Sequence, residues 1–238
     1  MNTLKTTFVC GTDTVKGIGS DTNTYGTVVA EDGNCWLDRN LGAERVAQSF
    51  DDYKAYGSLF QWGRGADGHE LINYTKVGAT PVNGSTTILS STDQPGHNKF
   101  IINSSSSYKY DWRNPSNNNL WQGVNGINNV CPVGFHVPTI EEWKYFLGHI
   151  PGFSPSVCAK DFSCLDSVYK SKLKLPMAGT RYNSYIDFYS GHSEYWSSSL
   201  SDNNSAKSIY MYETYTEAGF PRSRSDGEAV RCRSESVV

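Results

Sequence analysis

Five histidines, six cysteines and one glycine-rich hexad are the residues of this chain whose types suit catalysis, metal binding or phosphate binding. Gly63-Arg64-Gly65-Ala66-Asp67-Gly68 satisfies G-x-G-x-x-G, the spacing with which a backbone turn cradles a pyrophosphate at the start of a helix. The next residues, HELINYTK, make a poor nucleotide-binding helix, and a chain with 22 glycines produces such a match by chance. His69, His97, His136, His149 and His192 are dispersed, and neither a G-x-S-x-G nucleophile elbow nor an H-E-x-x-H zinc helix occurs. A triad assembled in space would leave no such trace. No catalytic residue and no metal ligand is nominated, and the chain is expected not to be an enzyme.

The cysteines stand at 10, 35, 131, 158, 164 and 232, an even set without a C-x-x-C pair or zinc-finger spacing to histidine. Disulfides are the expected use, and buried thiols in a reducing cell are the alternative. Proximity pairs Cys158 with Cys164 as a local loop, Cys10 with Cys35 as an N-terminal clasp, and Cys131 with Cys232 across the C-terminal half.

The other chemistry on offer is recognition. Between CPVGFHVPTIEEW, starting at Cys131, and GEAVRCR, ending at Arg233, the composition shifts to Tyr, Ser, Asn and Asp. Seven of the fifteen tyrosines lie within 182–225, which makes that span the candidate contact surface. Its candidate ligand-binding residues are Tyr182, Asn183, Tyr185, Asp187, Tyr189, Ser190, His192, Asp202, Asn203, Asn204, Tyr210, Tyr212, Tyr215, Arg222 and Arg224. Tyr offers a rigid amphipathic ring at low entropic cost, while Ser and Asn add adaptable hydrogen bonds. The bland alternative is solvent-facing strands and turns of a β-rich extracellular protein.

Elements that could position such a surface are legible in places. Thr139 followed by Glu142 is a T-x-x-E capping box and predicts a helix over 139–148, with Ile140, Trp143 and Leu147 on one face. A weaker helical pattern covers 51–60. Strand-like segments are 25–30, 35–38, 99–102, 208–212 and 229–233, separated by Gly, Asn and Ser turns. The stretch 82–129 reads as a long ordered loop pinned by Tyr110, Trp112 and Trp121. Trp143 is assigned to the core, and Trp36, Asp38, Arg39 and Asn40 to a buried polar network. Arg181 and Arg231 are expected to meet carboxylates or backbone carbonyls beneath the surface. The class is α+β in one compact domain over 1–238.

Composition narrows the setting. With 37% hydrophobic, 19% charged and 13% aromatic residues the chain is globular, and no apolar run approaches the roughly 20 residues of a membrane helix. A soluble protein without membrane insertion is expected. A formal charge of −3 with scattered Lys and Arg offers no stripe for phosphate backbones, so nucleic acid is not an expected partner. The start, MNTLKTTFVCG, lacks the roughly 7–15-residue apolar block of a secretory signal. Export is therefore expected after loss of a signal or by another route, such as lysis of a virus-infected cell.

CPVGFHVPTIEEW, LPMAGTR, YWSSS and AVRCR, in that order, resemble the Fibrobacter succinogenes major paralogous domain. YGTVVAEDGNCWLDRNLGA, AYGSLFQWGRGADGH, STDQPGHNKFI and NNNLWQGVNGINN in the N-terminal half are similar to the same domain, so the likeness spans about 25–233. It implies a C-type-lectin-like fold, distantly similar to formylglycine-generating enzymes, with short antiparallel strands, few helices and long ordered loops. In it, residues 1–130 would brace a scaffold at 131–233. The Tyr-rich span resembles, further, the variable proteins of diversity-generating retroelements, where adenine-directed mutagenesis varies a patch for receptor binding. That resemblance implies a non-catalytic display protein binding a protein or glycan receptor on another cell, located on a virion or a prokaryotic surface. A fixed-sequence adhesin or a virion or pilus assembly module is the alternative. A formylglycine-generating-type oxidase is a lesser one, since no matching cysteine pair stands near the end and Cys232 is alone there. The calcium motifs of sugar-binding C-type lectins are not matched: Gln94-Pro95-Gly96 lies in the wrong region and Trp-Asn-Asp does not occur. No cofactor is expected, with a structural calcium ion held open.

Overall fold

The computed structural model describes residues 7–103, 110–153, 163–183, 185–187, 191–202, 204–212 and 215–237, without the side chains of 163–165, 215, 236 and 237. The N-terminal part carries β1 (Val15–Lys16), β2 (Thr24–Tyr25), β3 (Thr27–Val29), β4 (Asn34–Leu37), β5 (Phe60–Gln61), β6 (Ile72–Thr75), β7 (Gly78–Pro81), β8 (Ser85–Thr86) and β9 (Phe100–Ile101). After them come β10 (Phe135–His136), α1 (Ile140–His149), α2 (Ser163–Lys170), β11 (Thr180–Tyr182) and β12 (Tyr185–Asp187). The chain ends with β13 (His192–Leu200), β14 (Ser205–Tyr212), β15 (Tyr215–Ser223), β16 (Gly227–Glu228) and β17 (Arg233–Val237). Strands dominate and helices are few, an α+β arrangement.

Three sheets matter for the site. One has the order β10-β17-β4-β3 and ties the two ends of the chain together. A second, β12-β11-β16-β5, and a third, the antiparallel meander β13-β14-β15, meet where Gly179 bridges Ser193 and Ala229 bridges Tyr195. Two disulfides fasten this closure, Cys10–Cys35 beside β4 and Cys131–Cys232 across 101 residues of chain. In the loop-entropy account a crosslink of that span stabilises by about 4–5 kcal/mol. The expected Cys158–Cys164 pair lies outside the described residues.

The capping box forms as its residues dictate: the Thr139 hydroxyl accepts from the Glu142 N–H and the Glu142 carboxylate accepts from the Thr139 N–H. Ile140, Trp143, Phe146 and Leu147 then face the core. All six tryptophans are fully buried, and the N–H groups of four of them act as struts. Trp143 donates to the Trp196 carbonyl at 3.1 Å, Trp196 to Phe60 O at 2.7 Å, Trp62 to Ser197 O at 2.9 Å and Trp112 to Trp62 O at 2.7 Å. Tyr110, Trp112 and Trp121 do pin the long loop: Trp112 and Trp121 enter the core, and Ser225 N donates to Tyr110 O.

Two expectations are corrected. The stretch 51–60 holds only a 3-10 turn, Tyr53–Ala55, because Gly57 takes φ +80° and Phe60 leaves as strand β5. Residues 229–232 form no strand. Their backbone is instead divided among neighbours, Leu41 N donating to Val230 O, Leu37 N to Cys232 O and Trp196 N to Ala229 O. The strand begins at Arg233. Of the WLDRN group only Asn40 enters a buried network, donating to Tyr56 O and the Tyr195 hydroxyl while its carbonyl oxygen accepts from Arg231 at 2.9 and 3.1 Å; Trp36 donates to Asp32, and Asp38 and Arg39 form a half-buried pair with each other. Arg231 also reaches the Leu37 and Leu173 carbonyls, and Arg181 the His69 carbonyl and the Ser85 hydroxyl, so neither takes a carboxylate.

Candidate functional site

The meander β13-β14-β15 has two faces that its alternation assigns. Ser193, Tyr195, Ile209, Met211, Thr216 and Ala218 turn one way, where Tyr195, Ile209 and Met211 pack with the Ile140, Trp143 and Phe146 face of α1. His192, Glu194, Trp196, Ser208, Tyr210 and Tyr212 turn the other way. A one-residue bulge at Gly219, which takes φ +107°, shifts the register so that Phe220 stands opposite Ser208 and Arg222 opposite Ala206. That extra residue moves Phe220 and Arg222 onto the Tyr210 face, which strict alternation would have denied them.

This second face is itself divided along its length. Near Trp196 and Ala206 it is covered by the core that holds Trp62 and Trp112. Near the other end it opens, and β11 and β12 extend it with Tyr182 and Tyr185. Tyr185 is 62% exposed and Tyr212 39%, the two exposed tyrosines among the described residues of this face. Tyr210 stacks between them and the interior, 6.4 Å from Tyr212, 6.1 Å from His192 and 5.2 Å from Phe220 between ring centroids.

Beneath the rings lies one guanidinium shared by several acids. Arg222 makes a two-pronged ion pair with Glu194, whose Oε1 also accepts from the Tyr182 hydroxyl at 2.8 Å. The same guanidinium lies 4.6 Å from the Phe220 ring centre, 5.3 Å from Tyr210 and 5.7 Å from Tyr182. Glu228 is fully buried beside it, and no N–H or O–H of the described residues reaches either of its oxygens. The Glu194 carboxyl lies close to it, since the Ala229 N–H to Glu194 carbonyl bond sets the two backbones side by side. Burial first, then the Glu194 charge, push Glu228 well above the usual carboxylate range. Burial and Glu194 likewise raise Asp226 to about 7. Burial and the Glu194 carboxylate also push the Tyr182 phenol upward.

The nominated residues therefore separate. Tyr182, Asn183, Tyr185, Asp187, Tyr210 and Tyr212 belong to the open end. His192 is buried there, its Nε2 3.2 Å from the Thr180 hydroxyl and its Nδ1 3.8 Å from Asp187. Asp202 and Asn204 sit just before the opposite end of β14, whose first residue, Ser205, is seven residues from Tyr212, about 23 Å at a strand's rise. There Asp202 caps the turn by accepting from the Asn204 and Ser205 N–H groups, and Asn204 accepts from the Ser116 hydroxyl. Arg224 is a correction. It is fully buried, 4.6 Å from the Trp62 ring, donating to Asp111, Asn118 and the Asp202 carbonyl, because alternation beyond the bulge carries it into the core end. Arg222 is a support more than a contact. Tyr189, Ser190 and Asn203 lie outside the described residues, as does the side chain of Tyr215. Glu194, Asp226 and Glu228 were missed; spacing two residues from Trp196 on a strand was the signal that Glu194 faces inward.

Elsewhere, Asp67, His69 and Glu70 bring three ligand-type atoms within 4.8 Å of one another. Each is already engaged. His69 Nε2 accepts from Gln61 N, so Nδ1 carries the proton that Asp67 receives at 2.7 Å; Arg64 donates to the other Asp67 oxygen, and Gly68 N and Ser20 donate to Glu70. The cluster is a hydrogen-bond knot that shapes the G-x-G-x-x-G turn, which continues into β6 with no helix for a pyrophosphate. Gly63 is required there because a Cβ would stand 2.7 Å from Leu120. Beside it an open polar cleft of about 580 Å³ is lined by Ala66, Asp67, Asp93, Gln94, His97 and Asn98 among others.

Comparison of the chain with models of protein families, with curated proteins and with solved structures gives no match. The reading of the site rests on its own residues.

Proposed function

We propose that the protein is a non-catalytic display protein that binds a protein or glycan receptor on another cell through the open end of the β13-β14-β15 face, with β11 and β12. The observation that carries this reading is a rigid sheet whose reverse side packs on α1 while Tyr185, Tyr210 and Tyr212 stand on its free side. Aromatic anchors on a pre-organised surface are what a shallow binding site needs. The resemblance to C-type-lectin-like variable proteins of diversity-generating retroelements agrees with such a division between framework and surface. Extracellular placement, on a virion or a prokaryotic cell, is supported by two disulfides, and no helix among the described residues is long and apolar enough to cross a membrane. Cys131 and Cys232 are bonded to each other, which supports a framework role over a copper-holding thiol pair.

The test is deep sequencing of the gene across a population of its source, combined with whole-cell binding by Tyr185→Ala and Tyr212→Ala. Substitutions confined to about 182–225 and loss of cell binding in both variants are expected. Uniform sequence would remove the retroelement origin, and unchanged cell binding would remove the surface.

A further inference from the structure

A cleft of about 540 Å³ opens between the loop that carries the 3-10 turn Tyr53–Ala55 and the tip of the β6-β7 hairpin. Its walls are fixed by the fold itself. Tyr74 of β6 packs edge-on against Tyr56 at 5.3 Å between ring centroids, and Met177 N donates to Phe50 O at 2.8 Å. Asp52 is consumed within the loop, where Arg45 reaches both of its oxygens and Gln48 N and Lys54 N donate to them as well. Thr75 pairs with Gly78, so Lys76 stands at the hairpin tip.

This frame leaves particular groups unused. Phe50 is 56% exposed beside the cleft. Tyr56 is only 5% exposed, yet among the described residues nothing hydrogen-bonds its hydroxyl, a group that a buried tyrosine ordinarily satisfies. Burial first, and then the Asp51 charge, push that phenol up to about 12, so it stays a donor. The Asp51 and Lys76 side chains both line the cleft, and neither has an ion pair or a hydrogen bond with the described residues. With Asp52 cancelled by Arg45, the cleft carries one free charge of each sign. A ligand of a single sign leaves one of them unanswered, and an apolar ligand leaves both.

The walls decide what kind of cation fits. Phe50, Tyr53, Tyr56 and Met177 supply rings and a thioether, and Asp51 is the one uncommitted carboxylate among the described lining residues. A primary ammonium brings three donors that each need an acceptor, whereas a methylated ammonium brings none and is attracted to aromatic faces. We propose that this cleft binds a zwitterion built on a methylated ammonium, its cation against Phe50, Tyr53 and Tyr56 beside Asp51 and its acid group at Lys76. The site goes beyond the display reading, since neither Tyr185 nor Tyr212 lines it.

The experiment titrates the intact protein, by ligand-observed NMR, with glycine betaine, phosphocholine, choline, glycine and 3,3-dimethylbutanoate, the last having the shape of betaine without its positive charge. The tighter of the two methylated zwitterions is expected to bind at least about threefold better than choline, glycine or 3,3-dimethylbutanoate. Asp51→Asn should weaken that zwitterion and choline about fivefold, and Lys76→Gln should weaken the zwitterion but not choline. Phe50→Leu, which keeps an apolar side chain without a ring, should weaken both about threefold, while Glu141→Gln, on the exposed side of α1, should change neither. If Phe50→Leu lowers the melting temperature, Asp51→Asn and Lys76→Gln, both at exposed positions, carry the test. Tyr185→Ala and Tyr212→Ala should bind these ligands as the parent does, so the cleft and the display surface fail separately. Sedimentation with phosphatidylcholine vesicles assigns the zwitterion to a lipid headgroup, and binding of the free molecules alone assigns it to a soluble solute; both keep the inference. No binding of either zwitterion up to about 10 mM, equal binding of 3,3-dimethylbutanoate, or indifference to Asp51→Asn and Lys76→Gln overturns it.

Discussion

Arg222 and Arg224 stand two residues apart on one chain, both over aromatic rings at 4.6 Å and both paired with an acid, yet they serve opposite ends of the molecule. Arg224 ends in an enclosed setting: Asp111, Asn118, a backbone carbonyl and the Trp62 face close around it, and nothing of it reaches solvent. Arg222 ends in an undersupplied one, where Glu194, Asp226 and Glu228 draw on a single guanidinium. The same residue type fixes a loop at one end and leaves a charge deficit at the other. The two ends differ in how many acids share one guanidinium.

The sharpest break of that contrast is at the framework. Cys131→Ser with Cys232→Ser should cost about 4–5 kcal/mol and lower the melting temperature more than any substitution on the display face, because it frees a 101-residue loop. Second in size is Arg224→Ala, which strands Asp111, already pushed upward by its burial, and should cost about 3–5 kcal/mol in urea unfolding. At conditions where both variants remain folded, their binding to cells should match that of the parent. An Arg224→Ala protein that unfolds like the parent but binds poorly would return Arg224 to the contact surface.

Much of the framework was legible because local chemistry specifies it. Thr139 and Glu142 announce their helix, and Cys10, Cys35, Cys131 and Cys232 pair as their positions along the chain suggest. The site was legible only as composition. What divides it, the bulge at Gly219, depends on how β15 pairs with β14, and a one-residue shift reverses which face each later side chain takes. Strict alternation therefore could not tell that Phe220 and Arg222 would share a face with Tyr210 and Tyr212. Glu228, in GEAVRCR, looks like any exposed acid; only the crossing of β16 behind β13 makes it a buried one. Helix α2 was not foreseen, and the helical pattern over 51–60 was broken by a glycine turn.

A smaller effect comes from the buried acids, with a definite sign. Asp226 near about 7 and Glu228 above its usual range bind protons in the folded chain that the unfolded chain releases from about pH 4 upward. Their contribution is thus full in acid and lost as pH rises through neutrality. Glu142 works the other way. Although burial opposes it, the His136, Thr139 and Arg233 contacts hold it at about 2, so its contribution is present above about pH 4.5 and fades below that. Stability should therefore peak in mildly acidic solution. Glu228→Gln, which keeps the shape and can donate to Glu194, should raise stability at about pH 8 by about 1 kcal/mol or more and flatten the decline. A variant less stable than the parent at that pH would mean that Glu228 is ionised and paired.

The least disruptive change is expected to be the most informative about function. Tyr185 and Tyr212 point outward, so truncating either to Ala should shift stability by no more than about 0.5 kcal/mol. If the open end is a contact surface, the same truncations remove aromatic anchors and should weaken receptor binding about tenfold or more. Size-exclusion mass separates the remaining alternative. In an assembly module this face is buried in a stable oligomer, so Tyr212→Ala would lower the oligomer's mass as well as its binding. In a display protein the mass stays fixed while binding falls, because the ring meets its partner only after the chain has folded and, if it assembles, assembled.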